Sequence, residues 1–176
     1  MKALFLVLVL LTALIAGPGA AADVEKMYYV GDVKLSSPSG QPRGSEVILL
    51  EKTHDPGNST ITEHAIEVKT DRSVGEYTMT MKVKGTSFTI KDDRNTIQGT
   101  GDLFGPAWRW TYFQAVYESI TTGVRIEDEN YMTDPSVLVA RKKISVGGKA
   151  LMYMDITLKA VTPQTFAILS ACLLKK

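Results

Sequence analysis

Glu76-Tyr77-Thr78-Met79-Thr80-Met81-Lys82-Val83-Lys84 alternates polar and apolar side chains without a fault. A period of two belongs to a β-strand with one side buried and the other wet. Gly85-Thr86 turns the chain, and Ser87-Phe88-Thr89-Ile90-Lys91 alternates again. Asp92-Asp93-Arg94-Asn95 supplies the next turn. The strand after it, 96–104, contains Gly99 and Gly101, and glycine within a strand marks a bulge, a bend or a close backbone approach. Outward from this stretch the same texture continues. Strands are predicted at 26–35, 46–53 and 59–69 upstream, and at 108–117, 123–132, 136–145 and 149–161 downstream. Asp55-Pro56-Gly57-Asn58, Thr133-Asp134-Pro135 and Gly147-Gly148 turn the chain between them. About ten strands at short spacing with no helical pattern predict an all-β protein. An antiparallel meander β-barrel of about 8–10 strands is the first choice, because closure removes the exposed edges that invite aggregation. A sandwich is the second.

The two ends of the chain read differently. Residues 1–22 carry Lys2, an apolar run from Ala3 to Ala16, a Gly17-Pro18-Gly19 break and Ala20-Ala21-Ala22, the three parts of a secretory signal peptide. The apolar run is shorter than the roughly 20 residues a spanning helix needs. Cleavage is expected after Ala22, leaving 23–176 as one domain with no transmembrane segment. One cysteine in 176 residues precludes an internal disulfide framework, which favours a bacterial envelope, periplasmic or released, over a eukaryotic secreted domain. At the other end, Thr162-Pro163 suits the start of a short helix presenting Phe166, Leu169 and Leu173 on one side; a last strand is the rival reading. Residues 36–44 read as a loop long enough to form a flap, and Cys172 as a small buried residue.

Composition excludes more than it assigns. A formal net charge of +1 lacks the basic surface that phosphate neutralisation demands, so nucleic acid is not expected as a partner. No Cys/His cluster, Gly-x-Ser-x-Gly elbow, His-Glu-x-x-His pair or P-loop occurs, and the sequence implies neither metal nor cofactor. If the 55–58 turn centres between residues 57 and 58, His54 pairs with Ile61 and His64 with Glu51, on opposite sides; a turn centre half a residue away puts both on one side. Surface histidine is the expectation for both.

The stretch from Gly105 to Tyr117 holds both tryptophans and two tyrosines within ten residues. On an unbroken strand Trp108, Trp110 and Tyr112 share one side, with Arg109 on the other. Aromatic walls suit an apolar cavity, and they equally suit a plugged barrel end. In the next strand Val124, Ile126 and Met132 define an apolar side that also carries Asp128 and Asn130. These two either meet water at a rim or orient a ligand, with the rim favoured. Met152, Met154, Ile156 and Leu158 form a further inward stripe, joined by Met79 and Met81. Arg141-Lys142-Lys143 reads as a solvated strand edge.

A leader followed by a meander through short turns, with Trp108 and Trp110 in its middle, resembles the lipocalin-like or calycin group of β-barrels. Lys26-Met27-Tyr28-Tyr29-Val30-Gly31 lacks the Gly-x-Trp of true lipocalins. The resemblance implies an internal cavity for a small apolar or amphipathic molecule. The expected ligand contacts are then Trp108, Arg109, Trp110, Tyr112, Tyr117, Asp128, Asn130, Met152 and Met154. Two other readings stay open: a non-catalytic envelope protein acting through protein contacts, and a cofactor-free isomerase, cyclase or hydrolase using Asp128 and Tyr117 in the same cavity. The sequence leaves the oligomeric state open.

Overall fold

In a computed structural model, residues 23–105, 111–134 and 136–174 are described. The expected leader, 1–22, lies outside them. Ten strands follow in order: β1 (Glu25–Ser36), β2 (Pro42–Asp55), β3 (Thr60–Val68), β4 (Val74–Lys84), β5 (Ser87–Asp92), β6 (Ile97–Phe104), β7 (Tyr112–Ser119), β8 (Val124–Asp134), β9 (Val137–Val146) and β10 (Lys149–Ala160). Each pairs antiparallel with its sequence neighbours, and β1 pairs with β10 from Tyr29↔Ala160 to Ser36↔Tyr153, closing the barrel. The fold is therefore a closed antiparallel meander, and no strand is left as an edge.

Alternation decides which side chains enter the barrel. On β4 Met79 and Met81 are buried, with Tyr77 and Val83 packed against the core, while the threonines and lysines between them face outward. The β2–β3 hairpin takes the first of the two registers, His54↔Ile61 and Glu51↔His64. His54 is consequently inside and buried, contrary to the surface role expected of it. His64 stays outside, with Nε2 2.8 Å from Glu76 Oε1. Gly99 and Gly101 interrupt no register on β6 and instead allow close approach. A Cβ at Gly99 would lie 2.2 Å from the Val116 carbonyl oxygen, and one at Gly101 would lie 2.3 Å from the Phe88 ring.

A meander places alternate turns at opposite barrel ends. The turns β1–β2, β3–β4, β5–β6, β7–β8 and β9–β10 share one end; the chain start, β2–β3, β4–β5, β6–β7 and β8–β9 share the other. The second end is densely filled by Tyr29, Lys52, His54, Ile61 and Leu103, all buried. The 36–44 segment is no flap: β1 reaches Ser36, β2 starts at Pro42, and the Ser37 amide donates to the Gln41 carbonyl at 2.8 Å across a short turn.

The last described element is helix α1 (Pro163–Leu174). Thr162 caps it, its hydroxyl accepting the Thr165 amide at 3.2 Å, and Pro163 occupies the first turn, where no amide donor is missed. Phe166 drops into a small core outside the barrel with Leu49 and Ile66, flanked by Leu169 and Leu173, and its ring centroid lies 5.0 Å from that of Tyr28. Cys172 lies off that packed side and is exposed, not buried as expected. Among the described residues no helix is long and apolar enough to cross a membrane.

Candidate functional site

The end of the barrel beneath the β5–β6 turn is not filled. A cavity of about 370 Å3 lies there. Met79, Met81, Ile90, Phe113, Ile126 and Met154 supply its apolar wall. Its volume falls within the roughly 300–1,000 Å3 typical of small-molecule sites. The turn over it is built by Asp92, whose carboxylate accepts the Thr96 amide (2.6 Å), the Ile97 amide (2.8 Å) and the Thr96 hydroxyl (2.6 Å). Burial opposes the charge on Asp92, yet these donors outweigh it and hold the carboxyl below its ordinary range.

Inward positions of β7, β8 and β9 bring a polar cluster together on the wall. Lys142 Nζ lies 3.2 Å from Asp128 Oδ2 and donates to the Tyr117 hydroxyl at 3.1 Å. Tyr117 donates in turn to Asp128 Oδ2 at 3.2 Å, and Asn130 Nδ2 donates to Asp128 Oδ1 at 2.7 Å. The Asp128 side chain is 7% exposed and that of Lys142 19%. Burial pushes the Tyr117 phenol well up, and the Asp128 charge adds to the effect. Burial works against the Lys142 ammonium, but Asp128 and the surrounding oxygens overcome it and raise the group further. Tyr117 therefore keeps its proton and Lys142 its charge at neutral pH.

A second cluster comes from β2, β3 and β4. Lys52, fully buried, pairs with Glu63 at 2.5 Å, and its Nζ lies 5.3 Å from the Phe113 ring centroid. Burial opposes ionisation of Glu63, but Lys52 holds its carboxyl below the ordinary value. Tyr77 donates to Glu67 Oε1 at 3.0 Å, and burial pushes its phenol well up. Glu63, Glu67 and Tyr77 all line the cavity. Among the described residues no group of three or more His, Cys, Asp or Glu side chains is placed to hold a metal ion.

Of the expected contacts, Tyr117, Asp128 and Met154 line this cavity. Asn130 is buried behind Asp128 and orients it. Neither Asp128 nor Asn130 is an exposed rim residue: both are buried in the wall, where Asp128 takes contacts from Lys142, Tyr117 and Asn130. Met152 follows a register shift between Ala150 and Met152; it is half-buried and outside both the core cluster and the cavity lining. Tyr112 faces outward, because Phe113, Ala115 and Tyr117 take the inward positions of β7. It packs between Phe104 and Tyr131, centroids 5.1 and 4.8 Å away, in an exterior group where Phe104 is 46% and Tyr131 43% exposed. Trp108, Arg109 and Trp110 lie outside the described residues. Phe104 and Tyr112, which flank them, belong to the filled end of the barrel, opposite the cavity.

Sequence alone hides Lys142, because the basic triplet Arg141-Lys142-Lys143 reads as one solvated unit. Only its neighbours behave that way: Arg141 pairs with Asp155 at 3.5 Å and Lys143 with Glu127 at 3.1 Å, both across strands on the outside. The signal for Lys142 was parity with Leu138 and Ala140, and for Lys52 parity with Ile48 and Leu50.

No protein-family model and no curated protein matches the chain. Among solved structures it is similar to an S-type phycobiliprotein lyase, CPES, from Guillardia theta, with a TM-score of 0.49 at 9% identity over 77% of this chain and 86% of that one. It is also similar to the dehydratase domain of RzxB from Pseudomonas fluorescens, with a TM-score of 0.21 at 6% identity over 88% and 83% of the two chains. At these values neither likeness decides a ligand or an activity.

Proposed function

We propose that the protein binds a small amphipathic molecule inside its barrel, beneath the β5–β6 turn, and acts in the cell envelope or outside it after loss of residues 1–22. One observation carries the reading: an apolar cavity of about 370 Å3 into which a satisfied polar cluster, Tyr117–Asp128–Lys142, projects from the wall. Apolar walls with a few converging polar groups characterise small-molecule sites. Lys142 spends two of its three N–H donors on Tyr117 and Asp128, leaving one for a neutral acceptor on the ligand.

The Tyr117–Asp128 contact also brings proton-transfer chemistry to mind. Tyr117 is a weaker acid than free tyrosine, and Lys142 is held as an ammonium, which removes it as a nucleophile. The binding reading uses both as hydrogen-bond donors.

Native mass spectrometry of the mature protein purified from its own envelope tests this reading. The expected result is a bound mass that disappears in Ile126→Trp, which fills the cavity, with the fold intact by circular dichroism. A bound mass that survives Ile126→Trp would refute the cavity as its site.

A further inference from the structure

We propose that the ligand carries a positive charge: an amphiphile whose protonated amine sits against Glu67 and Tyr77, with its apolar body along Met79, Ile90, Ile126 and Met154. This assignment rests on the cavity being the ligand site and adds the sign of the head group. The cavity provides the volume, and the unequal charges on its wall provide the sign.

Five carboxylates, Glu63, Glu67, Asp92, Asp93 and Asp128, line the space. The cations among the lining are Arg94 and Lys142, with Lys52 behind Glu63. Lys142 is committed to Asp128 and Lys52 to Glu63. The Asp92 charge is spread over the donors of its own turn. Glu67 differs from these. Among the described residues its hydrogen-bond partner is a neutral phenol, Tyr77, and no cation lies within ion-pair distance.

The surroundings of Glu67 report the same excess. Glu46, in the neighbouring strand β2, has its carboxyl pushed up by burial and then by the Glu67 charge, with Lys69 offsetting only part. A carboxylate in a partly apolar enclosure with no cation is costly, and an incoming ammonium removes that cost. Tyr77 supports the arrangement, because its hydroxyl points its proton at Glu67 and presents oxygen lone pairs to a donor. An anionic head would instead meet Glu63, Glu67 and Asp128 inside the enclosure, while Arg94, the lining cation outside these pairs, is exposed on the β5–β6 turn and not in the interior. Lys142 repels an ammonium only weakly, since Asp128 neutralises it at 3.2 Å.

The test uses three probes sharing one chain, octylamine, octanol and octanoate, titrated calorimetrically into the mature protein at neutral pH. The expected order is amine, then alcohol, then carboxylate, with the amine about tenfold or more tighter than the alcohol, as a charge-assisted hydrogen bond implies. Glu67→Gln is expected to bring the amine-to-alcohol ratio down to about one, while Glu129→Gln, on the outer surface, leaves the ratio unchanged. Octanol binding as well as octylamine, or octanoate binding better, overturns the charge assignment and leaves the cavity standing. Binding of none of the three, or binding that survives Ile126→Trp, overturns the cavity reading itself.

Discussion

Replacing Lys142 with methionine keeps the length of its stem and removes the cation from a wall position where the partner carboxylate is 7% exposed. Removing one member of a buried ion pair costs about 3–5 kcal/mol, because the charge left behind has lost both water and counter-ion. Asp128 would still accept from Asn130 at 2.7 Å and Tyr117 at 3.2 Å, so the low end applies and a loss of about 3 kcal/mol is expected. Adding Asp128→Asn removes the stranded charge. The double variant is expected to recover about 2 kcal/mol of the Lys142→Met loss, so the two single losses do not add. Urea unfolding followed by circular dichroism, with an unchanged m-value, measures all four corners of the cycle. Barrel stability of about 5–15 kcal/mol leaves each variant folded enough to read. Losses below about 0.5 kcal/mol that add independently would mean the pair behaves as a surface contact, and would refute the internal placement of Lys142.

Three further outcomes follow from other parts of the barrel. Tyr77, Tyr117 and Lys142 all have folded-state values above their unfolded ones, so above about pH 10 the unfolded chain loses protons that the folded chain keeps. Stability, level from neutral pH up to that point, is expected to fall as pH rises through about 10 to 11, with a shallower slope in Tyr117→Phe; a slope unchanged in that variant would contradict the burial of its phenol. Gly99→Ala drives a Cβ to 2.2 Å from the Val116 carbonyl oxygen and 2.4 Å from Tyr117 Cβ, and should cost about 2 kcal/mol or more in urea unfolding. Phe166→Ala should cost about 2 kcal/mol and reduce hydrogen-exchange protection in 163–174 while β4–β8 amides stay protected, since that ring is the main anchor of the helix.

Strand alternation carries most of the fold. Residues 76–91 alternate so regularly that strand, turn and strand fall where expected, whereas the 55–58 turn leaves two hairpin registers open and the structure takes the one centred between residues 57 and 58. Strand ends shift by a few residues, because ladder pairing extends into turn residues whose propensities do not mark where it stops. The interior charges were less legible. Lys52, Glu63 and Lys142 sit at inward positions, but each needs a partner on another strand, and pairing across strands is a property of the closed barrel. The side that Tyr112 takes is hidden for a related reason. Alternation from Trp108 predicts the side Tyr112 takes only relative to its neighbours; Phe113, Ala115 and Tyr117 claim the interior, so Tyr112 goes outside. Met152 is displaced by a register shift that its sequence does not mark, and Cys172 lies on the outer side of a helix that is apolar all round.

The central claim is that a ligand enters the end of the barrel beneath the β5–β6 turn. Methionine methyl resonances test it directly, because Met79, Met81 and Met154 line that cavity while Met27, Met132 and Met152 do not. With methyl-labelled mature protein titrated with octanol, shifts are predicted at Met79, Met81 and Met154, with the other three unmoved. Shifts confined to Met27 and Met132 would place the ligand elsewhere and contradict the account.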